Sequence, residues 1–91
     1  MPVKVHIPTP LRKITHDEGV VEVAPTTVSG VLEELQSRYP GIKERLTDES
    51  GALRRSLNIY VNDEDIRFLQ NQETVLKDGD EIIIMAATAG G

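Results

Sequence analysis

The residues best suited to chemistry are Ala86-Ala87-Thr88-Ala89-Gly90-Gly91. No side chain among them is larger than threonine, so the segment would fit a narrow channel. Extended at ~3.3 Å per residue, such a run reaches about 20 Å, far enough to enter a neighbouring active site. Glycine lacks a Cβ and reaches backbone angles closed to other residues. A carbonyl at Gly91 is therefore open to a nucleophile or a phosphate from either face. The chemistry this permits belongs to the backbone. A carboxylate is a poor electrophile. Converted by ATP to an acyl-adenylate it becomes reactive, and a sulfur donor then leaves a thiocarboxylate. The chain has no cysteine, so no internal thiol competes for the adenylate. Disulfides, thiolate catalysis and thiolate-bound metals are excluded on the same ground.

Other side chains offer less. Asp63, Glu64 and Asp65 are adjacent carboxylates in a turn, without the spaced ligands of a calcium loop. They are expected to be a solvated hairpin turn, and no metal site is expected. His6 falls on the polar face of a strand and His16 in a loop. Both are expected at the surface without partners. Ser29 and Ser56 have no nucleophile-elbow motif around them. Arg12-Lys13 and Arg54-Arg55 are small basic spots, read as solvated loop charge or as docking contacts for an activating enzyme.

The elements that must position the 86–91 segment follow from hydrophobic spacing. "VKVHI" alternates, with Val3, Val5 and Ile7 on one face, and predicts a half-buried strand. "PTPLRKITHDEG" has the proline and glycine content of a hairpin loop. Val20 to Ala24 predicts a second strand. Val28, Val31, Leu32, Leu35 and Tyr39 recur at helical spacing and form one apolar stripe. Thr26 or Thr27 can cap this helix and Pro40-Gly41 stops it. Ile42 to Leu46 reads as a further turn of helix. "SLNIYVN" is a strand, and "NDED" a tight turn into a short strand "IRFL". Thr74 to Leu76 is a candidate brief strand, and Asp78-Gly79 a turn.

Glu81 to Ala86, "EIIIMA", is β-branched on successive residues, as in a strand buried on much of both faces. Alternation puts Ile82 and Ile84 on one face, Ile83 and Met85 on the other. One pair packs under the helix. The other, together with Phe68, either forms an exposed apolar patch for partners or joins a core or dimer contact. A final strand of this composition belongs at the centre of the sheet, beside the first strand. The order of elements predicts an α+β fold of the ubiquitin-like β-grasp type. Its mixed sheet has four to five strands packed on one main helix. Residues 1–85 are expected to form the domain and 86–91 an extended, flexible C-terminal tail.

Length and composition fit one domain with a core of Val, Ile and Leu: 91 residues, 38% hydrophobic, with Phe68, Tyr39 and Tyr60 as the aromatics. The formal net charge is -5. That argues against non-specific nucleic-acid binding, which needs excess cations against phosphates. It allows a partner with a basic surface. "MPVKVHIPTPLR" has no apolar run of membrane or signal-peptide type, so no membrane partner and a cytoplasmic location are expected.

The chain resembles the ubiquitin-like sulfur-carrier family, which includes the small subunit of molybdopterin synthase and the thiamine-pathway sulfur carrier. The resemblance rests on "VKVHIPTPLR", "VLEELQSRYPGIKERL", "NIYVNDEDIRF", "LKDGDEIIIM" and "AGG". "IPTPLR", "NIYVNDEDIRF" and "AGG" look like the cysteine-biosynthesis branch. The resemblance implies that Gly91 is the adenylated and thiocarboxylated residue, Gly90 its channel-fitting neighbour and Ala89 the small residue before them. Thr88 and Ala87, small like the rest of the tail, are expected to thread the same channel and contact the partner. Ile83, Met85 and Phe68 are expected to contact partners. It also implies a carrier that binds no cofactor and turns over no substrate of its own. ATP would be used by an E1-like adenylyltransferase and sulfurtransferase. Sulfur would pass to a pyridoxal-phosphate cysteine synthase, and a zinc-dependent peptidase would release the product. The alternatives are a partnership with the large subunit of molybdopterin synthase, or a ubiquitin-like modifier. The tail lacks the proline found near the end of many molybdopterin relatives, which favours the cysteine branch.

Overall fold

A computed structural model describes residues 2–86; Ala87, Thr88, Ala89, Gly90 and Gly91, for which channel threading and the reactive terminus are expected, lie outside the described residues. Strand β1 (Val3–His6) buries Val3 and Val5 and turns Lys4 and His6 away from the core. The loop that follows contains a 3-10 turn, Thr9–Leu11, pinned by buried Leu11. It returns the chain as β2 (Val20–Val23), antiparallel to β1. Helix α1 (Val28–Arg38) buries Val28, Val31, Leu32 and Leu35 of the predicted stripe, and its fifth member, Tyr39, is the half-buried C-cap. Its cap is Thr27, whose hydroxyl accepts the Gly30 N–H at 3.1 Å, satisfying a donor that the first turn leaves free. Gly41 lies at φ 101°, a left-handed conformation that glycine adopts without strain. It separates α1 from the short helix α2 (Ile42–Leu46), which buries Ile42 and Leu46.

Strand β3 (Leu57–Val61) buries alternate residues, as predicted. Asn62 and Asp63, at φ 50° and 72°, form the two-residue turn into β4 (Glu64–Asp65). Positive φ at both positions suits the twist of a tight hairpin. Strand β5 (Glu81–Ala86) is last. The sheet order is β2-β1-β5-β3-β4. β5 runs parallel to β1, with Lys4 opposite Glu81 and His6 opposite Ile83. It runs antiparallel to β3, with Leu57 opposite Ala86 and Val61 opposite Ile82. The inward side chains of the sheet and of both helices form one apolar core. This is the β-grasp arrangement, with the last strand central and beside the first.

Three expectations need correction. "IRFL" is not a strand: Ile66–Phe68 forms a 3-10 turn whose Arg67 N–H is capped by the Asp65 carboxylate, with Ile66 alone buried. Thr74 to Leu76 reduces to a single bridge between Thr27 and Val75, because the segment meets the start of α1 and not the sheet. Finally, β5 is buried on one face only. Ile82 and Ile84 are in the core, whereas Ile83 is half-buried and Met85 is 50% exposed. One helical layer covers one side of the sheet, and the described residues supply no second layer.

Candidate functional site

The site is the end of β5, where the described chain passes into Ala87. Its position is fixed from both sides. On one flank Ala86 pairs with Leu57, at the start of β3. On the other, the end of β1 leads into Ile7 and the following loop. A surface depression of about 290 Å³ lies there, lined by His6, Pro8, Thr9, Arg12, Ile83 and Met85 among others. Arg12 is held in place: its Nε–H donates to the Ile7 carbonyl at 3.1 Å. Its guanidinium also fills the space beside Gly19, where a Cβ would come within 3.3 Å.

The uncovered sheet face carries Ile83 and Met85 on β5, opposite Tyr60 and Asn58 of β3. His6 sits on the same face, opposite Ile83 and Val20. Two of the three expected partner-contact residues therefore share this face and lie at the end of the last strand. The third does not join them through strand register. Phe68 is 82% exposed, but it sits on the turn after the edge strand β4. Strand register thus joins Ile83 and Met85 of the expected patch, and Phe68 is exposed beyond the edge strand.

Sequence reasoning missed the partner of His6. Its Nε2 lies 2.7 Å from the Glu81 carboxylate, a link created by the parallel pairing of residues far apart in sequence. His16 is exposed and its ring packs near Tyr39, with centroids 5.9 Å apart. Of the carboxylates at 63–65, only Asp63 lies in the hairpin turn; Glu64 and Asp65 form β4, and the Asp65 side chain is mostly buried. Asp65 is held below its ordinary value of 3.8 chiefly by the Arg67 backbone N–H, and Arg67 also pairs with it. Asp80 is lowered first by the Lys77 backbone N–H and then by the Asn62 side chain. Among the described residues no group of three or more His, Cys, Asp or Glu could hold a metal ion. No helix among them is long and apolar enough to cross a membrane.

Charge is unevenly placed along β5. Asp80 and Glu81 stand at its start, beside Asp63 and Glu64 of the β3–β4 turn. Towards its end, Arg12 lines a depression with Met85, and Arg54 and Arg55 line another with Leu57, the partner of Ala86. The chain is acidic overall, yet the end of the last strand is flanked by cations. Sequence reading had these pairs as separate spots; only the topology brings both to one end of the sheet.

Comparison with known proteins agrees with this geometry. The chain is 46% identical over 93 residues to the sulfur carrier protein CysO of Mycobacterium tuberculosis, covering 100% of both chains. The crystal structure of the Amycolatopsis orientalis BexX/CysO complex contains a chain with TM-score 0.90 and 47% identity, covering 98% of this chain and 99% of that one. The small archaeal modifier protein 1 of Methanosarcina acetivorans superposes with TM-score 0.81 at 35% identity, covering 98% and 95%. The ThiS family profile matches residues 5–91. A central last strand beside the first, one helical layer and a match running through Gly91 lead to one conclusion: the chain belongs to the ThiS family of ubiquitin-like β-grasp proteins.

Proposed function

We propose that the chain is a sulfur carrier that works through the carboxylate of Gly91, with cysteine biosynthesis as its outlet. A carboxylate oxygen attacks the α-phosphate of ATP and pyrophosphate leaves, giving the acyl-adenylate. Sulfide, or an enzyme-bound persulfide with a reductant, then attacks the carbonyl carbon and AMP leaves. In a cysteine synthase the resulting thiocarboxylate sulfur replaces the leaving group on the β-carbon of an activated serine, and the thioester so formed passes its acyl group from sulfur to the amino nitrogen to give an amide. The product stays on Gly91 until a peptidase hydrolyses it. The carrier contributes recognition and reach, while an E1-like adenylyltransferase, a pyridoxal-phosphate enzyme and a zinc-dependent peptidase contribute catalysis. On this reading it works in the cytoplasm, where ATP is available.

The observation that carries the reading is the path of β5. The central strand of the sheet, paired on both sides, leads directly in sequence into Ala87-Thr88-Ala89-Gly90-Gly91. Full-length similarity to proteins named sulfur carriers supports it. The absence of cysteine gives a clean assay. A thiol-directed alkylating reagent at neutral pH can label a thiocarboxylate and finds no thiol on this chain. After incubation with an activating enzyme, ATP and sulfide, intact mass should show one oxygen replaced by one sulfur, and alkylation confined to the last tryptic peptide. A chain that stays at its starting mass under conditions that load an established carrier would defeat the reading.

Similarity to a small archaeal modifier supports a second reading, in which Gly91 is joined by an amide bond to lysines of other proteins. Denaturing electrophoresis separates the two: a modifier gives conjugates that resist thiol reagents and depend on Gly91.

A further inference from the structure

A second cavity lies on the β3 side of the same strand end. It has a volume of about 330 Å³, at the small end of ligand cavities and suited to a side chain more than to a cofactor. Its floor is apolar, made by Leu57 and Ile66 with half-buried Leu53. Its rim carries Arg54, Arg55 and Arg67. Arg67 pairs with Asp65 and also donates to the Asn58 side chain. Arg54 donates twice to the Glu44 carbonyl and faces Asp48. Arg55 is exposed and makes no hydrogen bond or ion pair among the described residues. Leu57 lines the notch and is also the register partner of Ala86. The notch is therefore adjacent to the root of the 87–91 segment.

We infer that this notch is a docking site for a segment of the activating enzyme that bears an apolar side chain beside a carboxylate. The inference rests on the sulfur-carrier reading. The apolar side chain covers Leu53, Leu57 and Ile66, and the carboxylate pairs with Arg55. Charge complementarity selects this occupant. An unpaired guanidinium on a chain of net charge -5 attracts acidic surfaces locally while the rest of the molecule repels them. That fixes which end of the carrier faces the enzyme before the tail engages. Arginine suits the role because its planar fork matches a carboxylate with two hydrogen bonds.

The test uses the full chain, the activating enzyme, ATP and sulfide, with thiocarboxylate formation read by mass. Arg55→Glu should raise the KM for the carrier about tenfold at low ionic strength and leave kcat unchanged, with the gap narrowing as salt rises. Lys77→Glu changes net charge equally but sits before the start of β5, and should leave KM unchanged. Thermal melting of Arg55→Glu should match the parent, because its side chain does not hold the fold, and Lys77→Glu, which loses only an exposed charge beside Asp80, should melt close to it. If the parent is loaded and Arg55→Glu shows the parent's KM and salt dependence, the notch is not a docking site and the carrier reading stands. If Lys77→Glu raises KM equally, overall charge and not the notch is responsible. A lower KM in Arg55→Glu would mark the chain's own tail as the occupant and overturn the inference. If the parent is never loaded, the carrier reading fails and the inference falls with it.

Discussion

Thr26, Thr27 and Gly30 show how single atoms set the start of α1. The Thr27 hydroxyl caps the helix through the Gly30 N–H, so Thr27→Ala should cost about 1 kcal/mol. Gly30 is less obvious. Propensity alone favours alanine inside a helix by about 1 kcal/mol. A Cβ at Gly30, however, would lie 2.4 Å from Thr26 Oγ1 and 2.7 Å from its Cγ2. Gly30→Ala should therefore destabilise the chain in urea unfolding. Thr26→Ala removes both atoms and should recover most of the loss; without that recovery the clash is not the cause. Asp80 ties the turn before β5 to β3, accepting from the Lys77 N–H at 2.8 Å and the Asn62 amide at 2.9 Å. These bonds hold its carboxyl below 3.8, as related contacts do for Asp48 and Asp65. A folded-state value below the unfolded one adds stability that is complete above the unfolded value and is lost as pH falls through the folded one. The urea midpoint should thus stay level from neutral pH to about 5 and fall below about 4. Asp80→Ala should lower the neutral midpoint and make the acid decline shallower.

At the level of elements, β5 divides its two faces sharply. Ile84 is buried and Met85, its neighbour, is 50% exposed. Ile84→Ala should cost about 2–5 kcal/mol through lost burial and a cavity. Met85→Ala should cost under about 1 kcal/mol, because little packing is removed. Equal losses in chemical denaturation would mean that the outer face is covered in solution, as in a dimer. The residue types of β5 fit either outcome, since a run of Ile suits a strand buried on one face or two. That ambiguity shows where sequence was legible. Strict alternation in Val3, Val5 and Leu57, Ile59, Val61, and helical spacing in Val28 to Leu35, are local signals, and the elements follow them. "IRFL" and Thr74 to Leu76 have strand-forming composition, but Asp65 caps the first into a turn and the start of α1 captures the second. Both outcomes depend on tertiary neighbours. The chemistry proposed for Gly90 and Gly91 rests on residue type alone, because it is backbone chemistry and both positions lie outside the described residues. The notch could not, because Arg55, Ile66 and Arg67 meet only after β3 and β4 have paired.

For the molecule as a whole, the decisive feature is that its middle strand comes last in sequence. β1 and β3 never touch as neighbours; each pairs with β5. The β1–β5 pairing joins Lys4 to Glu81 and Val5 to Ile82, among the longest loop closures this chain permits, so folding is delayed until the final strand is available. This arrangement separates two deletions that differ little in length. Removing residues 81–91 takes away the shared partner of β1 and β3 together with buried Ile82 and Ile84. It should leave a chain without cooperative thermal unfolding. Removing Gly90 and Gly91 takes nothing from the sheet or the core described here. Its melting temperature should equal the parent's, and its amide-exchange protection in β1, β3 and β5 should be unchanged. On the carrier reading the same two-residue deletion abolishes sulfur loading. A truncated chain that melts normally and still acquires sulfur would show that the reactive group lies elsewhere. One that melts normally and cannot be loaded would assign stability to the body and chemistry to the tail.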